Sequence, residues 1–283
     1  MTEVALTGAS GFLGRHLAVA LAQRCHALVC SARGERSWSG PGRFVPLDVR
    51  RPPAAAFARL GRPRVLIHLA WGGLPNYGDP GHYERELPAH YRFLEGLMDA
   101  GLERLVVAGT CLEYGRRGGA CDETLCPDPD TPYGFAKDAL RRGLEFAAAR
   151  HGTQLLWTRL FYLWGEGQAA GSLYPQLLAA ARRGERRFPM SGGEQLRDYL
   201  PVTEAAERLV RLALETEASG IVNLCSGRPV SVRALVERWI AEHGLEIEPA
   251  LGALPYAAHE AMAFWGDSTR LRQLLELDPT DDD

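Results

Sequence analysis

The sequence predicts an α/β fold, a doubly wound parallel sheet with a smaller C-terminal lobe, and three observations carry that prediction. Continuous apolar runs recur through the first 165 residues: "EVALT", "ALVCSA", "RFVPLDV", "RVLIHLAW", "RLVVAGT" and "QLLWTRLFYLWG". Runs without polar alternation suit strands buried on both faces, the condition of a parallel sheet covered by helices. Segments with apolar residues at helical spacing lie between several of them, and a glycine turn follows the first.

In order, "EVALTGASGFLGRHLAVALAQRC" reads as strand, glycine turn and helix, and "ALVCSA", "RFVPLDV" and "RVLIHLAW" as strands two to four. "YRFLEGLMDAG" is a helix, "RLVVAGT" the fifth strand, "TPYGFAKDALRRGLEFAAARHG" a helix, and "QLLWTRLFYLWG" the sixth strand. Beyond residue 164 the alternation weakens, leaving a strand candidate "GIVNLCS", a helix "SVRALVERWIAEHG" and a polar end "DPTDDD". Residues 1–164 are therefore expected to form one domain and residues 165–283 a smaller lobe, some of whose segments return to the first.

The 283 residues carry a net charge of -3, which argues against an electrostatic grip on nucleic acid or an anionic membrane. No apolar run approaches the roughly 18 residues that span a bilayer, and the N-terminus has no basic region ahead of an apolar one. Cys25, Cys30, Cys111, Cys121, Cys126 and Cys225 are scattered without metal-ligand spacing. That predicts free thiols in a reducing, cytoplasmic setting and no metal site.

Gly8, Gly11 and Gly14 follow a strand and open a helix. A helix N-terminus offers unpaired N–H groups and a positive dipole end, and glycine lets the backbone approach a pyrophosphate. Gly8, Ser10, Gly11, Phe12, Leu13 and Gly14 thus form a candidate dinucleotide cradle. The second strand runs into Ser31, Arg33 and Arg36 rather than an early acid, which favours the 2′-phosphate of NADP(H), with NAD(H) the alternative. Asp48, beside Val49, either bonds an adenine amine or caps its own turn.

Thr131 and Pro132 make a helix start, as N-cap and first helical residue. Tyr133 and Lys137 then stand at i and i+4 on one face. Lys137 is the only lysine among 32 basic residues. A phenol is a weak acid at neutral pH, and a neighbouring ammonium is expected to favour its ionised form, so the pair reads as a tuned proton donor.

"TGASGFLG" at 7–14, "HLAW" at 68–71, "GTCLEYG" at 109–115, "PYGFAK" at 132–137 and "LRDYLPV" at 196–202 resemble, in order, the motifs of the extended short-chain dehydrogenase/reductases, the epimerase/dehydratase group. The resemblance implies a Rossmann-type domain and a homodimer paired through the Tyr/Lys helix and the one before it. It makes Tyr133 the acid/base, Lys137 the holder of the nicotinamide ribose, and Thr110 the group bonding the reacting oxygen. Leu69 and Ala70 would line the cofactor, Trp71 and Tyr162 the substrate, and Arg197 would meet the sugar nucleotide's pyrophosphate.

Departures from the family pattern narrow the chemistry. Members that remove water across C4 and C6 carry an Asp-Glu pair after this threonine, where Cys111 and Leu112 stand here. Cys111 is read as core, His68 as a strand end near the cofactor, and Tyr162 replaces the family's asparagine. His259, Glu260, Trp265 and Asp267 either line the sugar pocket or pack a helix-to-loop join. The resemblance implies NADPH-dependent reduction of a nucleotide-linked 4-keto-6-deoxy sugar at C4. Its rivals are a nucleotide-sugar 4-epimerase with tightly held NAD and a non-catalytic dinucleotide sensor.

Overall fold

The computed structural model describes residues 3–25, 27–34, 38–256 and 261–277; Arg36, His259 and Glu260 lie outside these. The chain opens with β1 (Glu3–Thr7), α1 (Phe12–Ala22), β2 (Ala27–Ala32), β3 (Arg43–Pro46), α2 (Ala56–Arg59) and β4 (Val65–His68). It continues with α3 (Leu87–Asp99), β5 (Arg104–Thr110), β6 (Gly119–Cys121), α4 (Pro132–His151), β7 (Gln154–Leu160) and β8 (Tyr162–Trp164). Then come α5 (Leu173–Arg182), β9 (Arg187–Pro189), β10 (Leu196–Arg197), β11 (Tyr199–Pro201), α6 (Val202–Leu214) and β12 (Gly220–Leu224). The last elements are β13 (Val230–Ser231), α7 (Val232–Glu242), β14 (Glu248–Ala250), β15 (Ala263–Gly266) and α8 (Thr269–Leu275).

Seven parallel strands form the main sheet in the order β12-β7-β5-β4-β1-β2-β3. The apolar runs become its strands because both faces are covered. One face buries Leu6, Leu17, Leu21, Leu209 and Leu224, and the other Leu66, Phe93, Leu94, Leu105, Leu144 and Trp157. Connections leave β1 toward β2 on one side and return through β4 on the other, so a crevice opens at the carboxyl ends of these two strands.

Two readings of the sequence change. "QLLWTRLFYLWG" is two strands: the Phe161 N–H donates to the Leu224 carbonyl at 3.2 Å as the last bond of the ladder with β12, and β8 beyond it pairs β11 in a separate sheet. The third and fourth strands end at Pro46 and His68, short of the apolar runs, because the residues that follow turn into the crevice. "GIVNLCS" is one of the segments that return to the first domain: β12 lies beside β7 as the seventh strand of the main sheet. The remaining small strands make a four-stranded sheet, β13-β10-β15-β6, and a pair, β14-β9.

Candidate functional site

The turn after β1 is built by its glycines, and mostly for the protein's own backbone. Gly8 has φ +78°, and a Cβ there would come within 2.7 Å of the Ala70 nitrogen. A Cβ on Gly14 would strike the Gly8 carbonyl, so the helix can pack onto the turn only with glycine at that position. Gly8, Ser10 and Gly11 line a cavity of about 410 Å³, together with Ser31, Arg33, Asp48, Val49, Leu69, Ala70 and Trp71. Phe12, Leu13 and Gly14 do not line it; Leu13 is buried in the core and Phe12 packs against it.

The lining suits a dinucleotide. The first turn of the 11-residue α1 leaves N–H groups without intrahelical partners at one end of the cavity. At the second strand, the Ser31 hydroxyl is buried without a hydrogen-bond partner, an orphan group on the cavity wall. Asp48 caps its own turn, its Oδ1 accepting from the Arg50 N–H at 3.0 Å, and it also lines the cavity. Arg33 also lines an adjoining cavity of about 350 Å³ with Ser10, Arg15 and Trp38.

Tyr133 and Lys137 come together behind Trp71, outside the residues that line the cavity. Thr131 caps α4, its hydroxyl accepting from the Gly134 N–H at 3.1 Å, and Pro132 opens the helix. Tyr133 and Lys137 are both buried on the inner face of α4. The Lys137 ammonium donates to the Ala108 carbonyl at 2.6 Å and sits 4.3 Å from the centre of the Trp71 ring. The Tyr133 ring is surrounded by Trp71, Tyr77 and His82, at centroid distances of 6.1, 5.4 and 5.2 Å. Tyr77 also takes the Tyr133 N–H on its carbonyl at 3.1 Å, tying the loop after Trp71 to the start of α4.

The titration of the pair differs from the sequence expectation. Burial, with Tyr77, Glu113 and Cys111 nearby, pushes the Tyr133 phenol well above its ordinary range, while Thr110 acts in the lowering direction. The ammonium is occupied by a carbonyl and an indole face, and the phenol stays protonated. Lys137 is itself lowered by burial to about 8, against a raising influence from Glu113. At neutral pH the site therefore presents a neutral acid beside a cation.

Two buried networks support these residues, and the sequence reading found neither. Glu113 accepts from the Thr110 N–H at 2.9 Å, from the Trp157 indole at 2.9 Å, and from Arg159 Nε at 2.8 Å. Glu113 and Arg159 are both inaccessible to solvent, and the guanidinium lies 4.3 Å from the centre of the Tyr114 ring. Toward β1, Thr7, His68, His90 and Glu86 are linked at 2.7, 2.8 and 3.2 Å. Glu86 also takes the Gly72 N–H at 3.1 Å and faces Arg50 at 3.7 Å. Glu113 had a visible signal: Thr110-x-x-Glu113 is a capping box, which the structure forms.

On β10, Arg197 is buried with its guanidinium 5.9 Å from the Tyr162 ring centre, and burial pushes the Tyr162 phenol up. Cys111 packs in an apolar cluster with Tyr114, Phe161 and Phe264, as expected of a core residue. Trp265 is half-buried on β15, beside β6, and Asp267 donates its N–H to the Cys121 carbonyl at 2.9 Å. His68 closes β4 with its ring in the network just described.

The model of the NAD dependent epimerase/dehydratase family matches residues 4–225 of this chain. The dTDP-6-deoxy-L-talose 4-dehydrogenase (NAD(+)) of Aggregatibacter actinomycetemcomitans is 31% identical over 269 residues, covering 93% of this chain and 99% of that protein. The dTDP-6-deoxy-L-talose 4-dehydrogenase (NAD(P)(+)) of Kitasatospora kifunensis is 30% identical over 256 residues, covering 87% of this chain and 80% of that one. Among solved structures, MoeE5 in complex with UDP-glucuronic acid and NAD matches with a TM-score of 0.81 at 28% identity, over 97% of this chain and 93% of the other.

Proposed function

We propose that this chain, which belongs to the NAD dependent epimerase/dehydratase family and is an NAD(P)-dependent enzyme of that family, reduces the C4 keto group of a nucleotide-linked 4-keto-6-deoxy sugar. The observation that carries the reading is the buried Tyr133 phenol, kept protonated by burial, with Thr110 and the Lys137 ammonium nearby, phenol and ammonium both standing behind Trp71, which lines the cavity. The positions after Thr110 hold Cys111 and Leu112, which offer no carboxylates for dehydration. The two relatives named as talose 4-dehydrogenases act on the matching alcohol, whose oxidation is the reverse of this reduction.

Gly8, Ser10, Gly11 and Ser31 would hold the nicotinamide cofactor, which would supply the hydride. As negative charge develops on the C4 oxygen, Tyr133 gives it the phenolic proton and Thr110 donates a hydrogen bond to it. Lys137 holds the nicotinamide ribose, and its charge steadies the phenolate until solvent returns the proton. Arg197 binds the sugar nucleotide's diphosphate, with Tyr162 and Trp71 against the sugar.

The preference for NADPH rests on Arg33 and Arg15, two guanidiniums around the cavity beside Ser10 where an aspartate would repel a 2′-phosphate. A homodimer is supported by the outer face of α4, where Phe135 and Phe146 are exposed and Tyr83 meets Phe135 edge-on at 6.1 Å. The six free thiols suit a reducing cytoplasm.

The reading is tested by following NADPH and NADH oxidation against TDP-, GDP- and CDP-linked 4-keto-6-deoxy sugars, with product stereochemistry from NMR. The expected result is stoichiometric oxidation of NADPH with a C4 alcohol as product. A preparation that carries tightly bound NAD and interconverts UDP-hexoses at C4 without net oxidation would establish the epimerase instead.

A further inference from the structure

Glu113 has features that a merely structural carboxylate would not need. It is inaccessible to solvent, and each of its hydrogen bonds runs toward the catalytic strand end or its support: Thr110 N–H, Trp157 Nε1 and Arg159 Nε. The neighbouring backbone is shaped around it. A Cβ on Gly109 would fall 2.7 Å from Glu113 Oε1 and closer still to the Trp157 indole nitrogen, so the strand can pass over the carboxylate only with glycine there. Arg159 in turn is held at Nε, while its two buried Nη atoms make no well-formed hydrogen bond among the described residues and rest against Tyr114. A guanidinium so incompletely satisfied is a costly anchor, which directs attention to what it holds in place.

We propose that Glu113 is a positioning residue of the catalytic centre: anchored by Arg159 and Trp157, its carboxylate fixes the main chain at Thr110 and places an anion at the Trp157 indole beside which Lys137 lies. The proposal rests on the reading of Thr110, Tyr133 and Lys137 as the reacting set. Two observations support it independently. The hydrogen bond from Thr110 N–H is the closing contact of a capping box that sets where the Thr110 hydroxyl begins. The Lys137 ammonium lies 5.7 Å from the centre of the Trp157 ring, whose indole N–H donates to Glu113 at 2.9 Å, and Glu113 acts on Lys137 in the raising direction against burial. The other titratable groups around the ammonium are His68, His90 and Tyr133, and burial disfavours the charged form of each; burial raises Glu113 as well, and the Arg159 charge with the bonds from Arg159, Thr110 and Trp157 opposes it, so these bonds hold the anion there.

The test compares Glu113→Gln with the double variant Glu113→Gln/Arg159→Met, using a readout that needs no sugar substrate. NADPH affinity is titrated by fluorescence across neutral to alkaline pH, and melting temperature is recorded alongside. In the unaltered protein affinity should decline as pH rises through about 8, where Lys137 loses its proton; in Lys137→Met this decline should disappear. Glu113→Gln should move the decline to lower pH, weakening NADPH several-fold at the pH of the native midpoint while leaving it unchanged one to two units lower. The double variant removes the stranded guanidinium and should regain melting temperature without regaining the native pH profile. Should the single variant fail to fold, the double carries the comparison. A profile in either variant that coincides with the native one overturns the proposal, since a structural role predicts recovery of both properties together. A decline that survives Lys137→Met would instead remove Lys137 from the cofactor, the failure of the underlying reading.

Discussion

Toward β7, the surroundings of Lys137 contain a complete buried ion pair, Glu113 with Arg159. Toward β1 they contain Thr7, His68, His90 and Glu86, a chain whose two central members carry no charge. The second arrangement is self-consistent with neutral rings. His90 Nε2–H donates to Glu86, leaving His90 Nδ1 to accept from His68 Nε2–H, and His68 Nδ1 then accepts from the Thr7 hydroxyl. Every donor faces an acceptor, and the bonds run one way from the end of β1 to the cavity wall. The contrast shows how one buried ammonium is accommodated: an anion on one side offsets part of its desolvation, and on the other side the polar groups are ordered so that none competes with it as a cation.

The largest expected effect falls on the residue where the two sides meet. Tyr133→Phe leaves both networks untouched and should lower turnover on the order of 10² or more while NADPH still binds, the usual contribution of a general acid. Steady-state kinetics beside fluorescence titration separates the two, and unchanged turnover would remove Tyr133 from the chemistry. Lys137→Arg keeps the charge but replaces a compact ammonium with a planar fork, which the 2.6 Å contact to the Ala108 carbonyl under the Trp71 face does not accommodate. It should lose most activity; retention of native turnover would mean that only charge matters there.

Next in size are the supports themselves, and here the comparison can be broken outright. Arg159→Met strands the Glu113 carboxylate in a site with no access to water, which should cost about 3–5 kcal/mol of stability. Chemical denaturation measures it, and a loss below about 1 kcal/mol would show that Glu113 does not depend on Arg159 to be held in the core.

The sequence revealed the parts whose logic is local. The glycine turn is read from strand, spacing and helix within a dozen residues, and Tyr133 with Lys137 from a single turn of helix. Arg33, Asp48 and Ala70 reach the cavity because they follow strand ends, which apolar runs mark well enough. The supporting networks are non-local: Glu113 meets Arg159 across 46 residues and His68 meets His90 across 22. Arg159 sits within an apolar run and gives no sign of the carboxylate opposite, and the break at Phe161 depends on β12, which comes some sixty residues later. The motif names Leu13 and Gly14 alike, and spacing along the chain does not say that the Leu13 side chain enters the core while Gly14 packs against the Gly8 carbonyl.

The smallest effect is a pH dependence of stability that belongs to the histidine chain alone. Burial first, then His90 and the Lys137 charge, hold His68 below the ordinary value of 6.5; burial and Lys137 hold His90 below it against the raising influence of Glu86. A base lowered on folding takes up its proton in the unfolded chain first, so stability is retained above about 6.5 and declines as pH falls below it, until the folded rings also protonate. With two such rings the limiting slope is about 2.7 kcal/mol per pH unit, twice the value for one titrating group. Glu86 is lowered as well, but from 4.5, so its contribution is lost at more acidic pH and leaves the window between about 6.5 and 5 to the histidines. His90→Leu should cost about 1–3 kcal/mol at neutral pH, because the His68 Nε2–H then has no acceptor, and it should roughly halve the slope in that window. Urea denaturation at several pH values gives both quantities. A slope unaltered by the substitution would mean that His90 is already charged in the folded protein, and the two sides of Lys137 would then differ in sign of charge rather than in its presence.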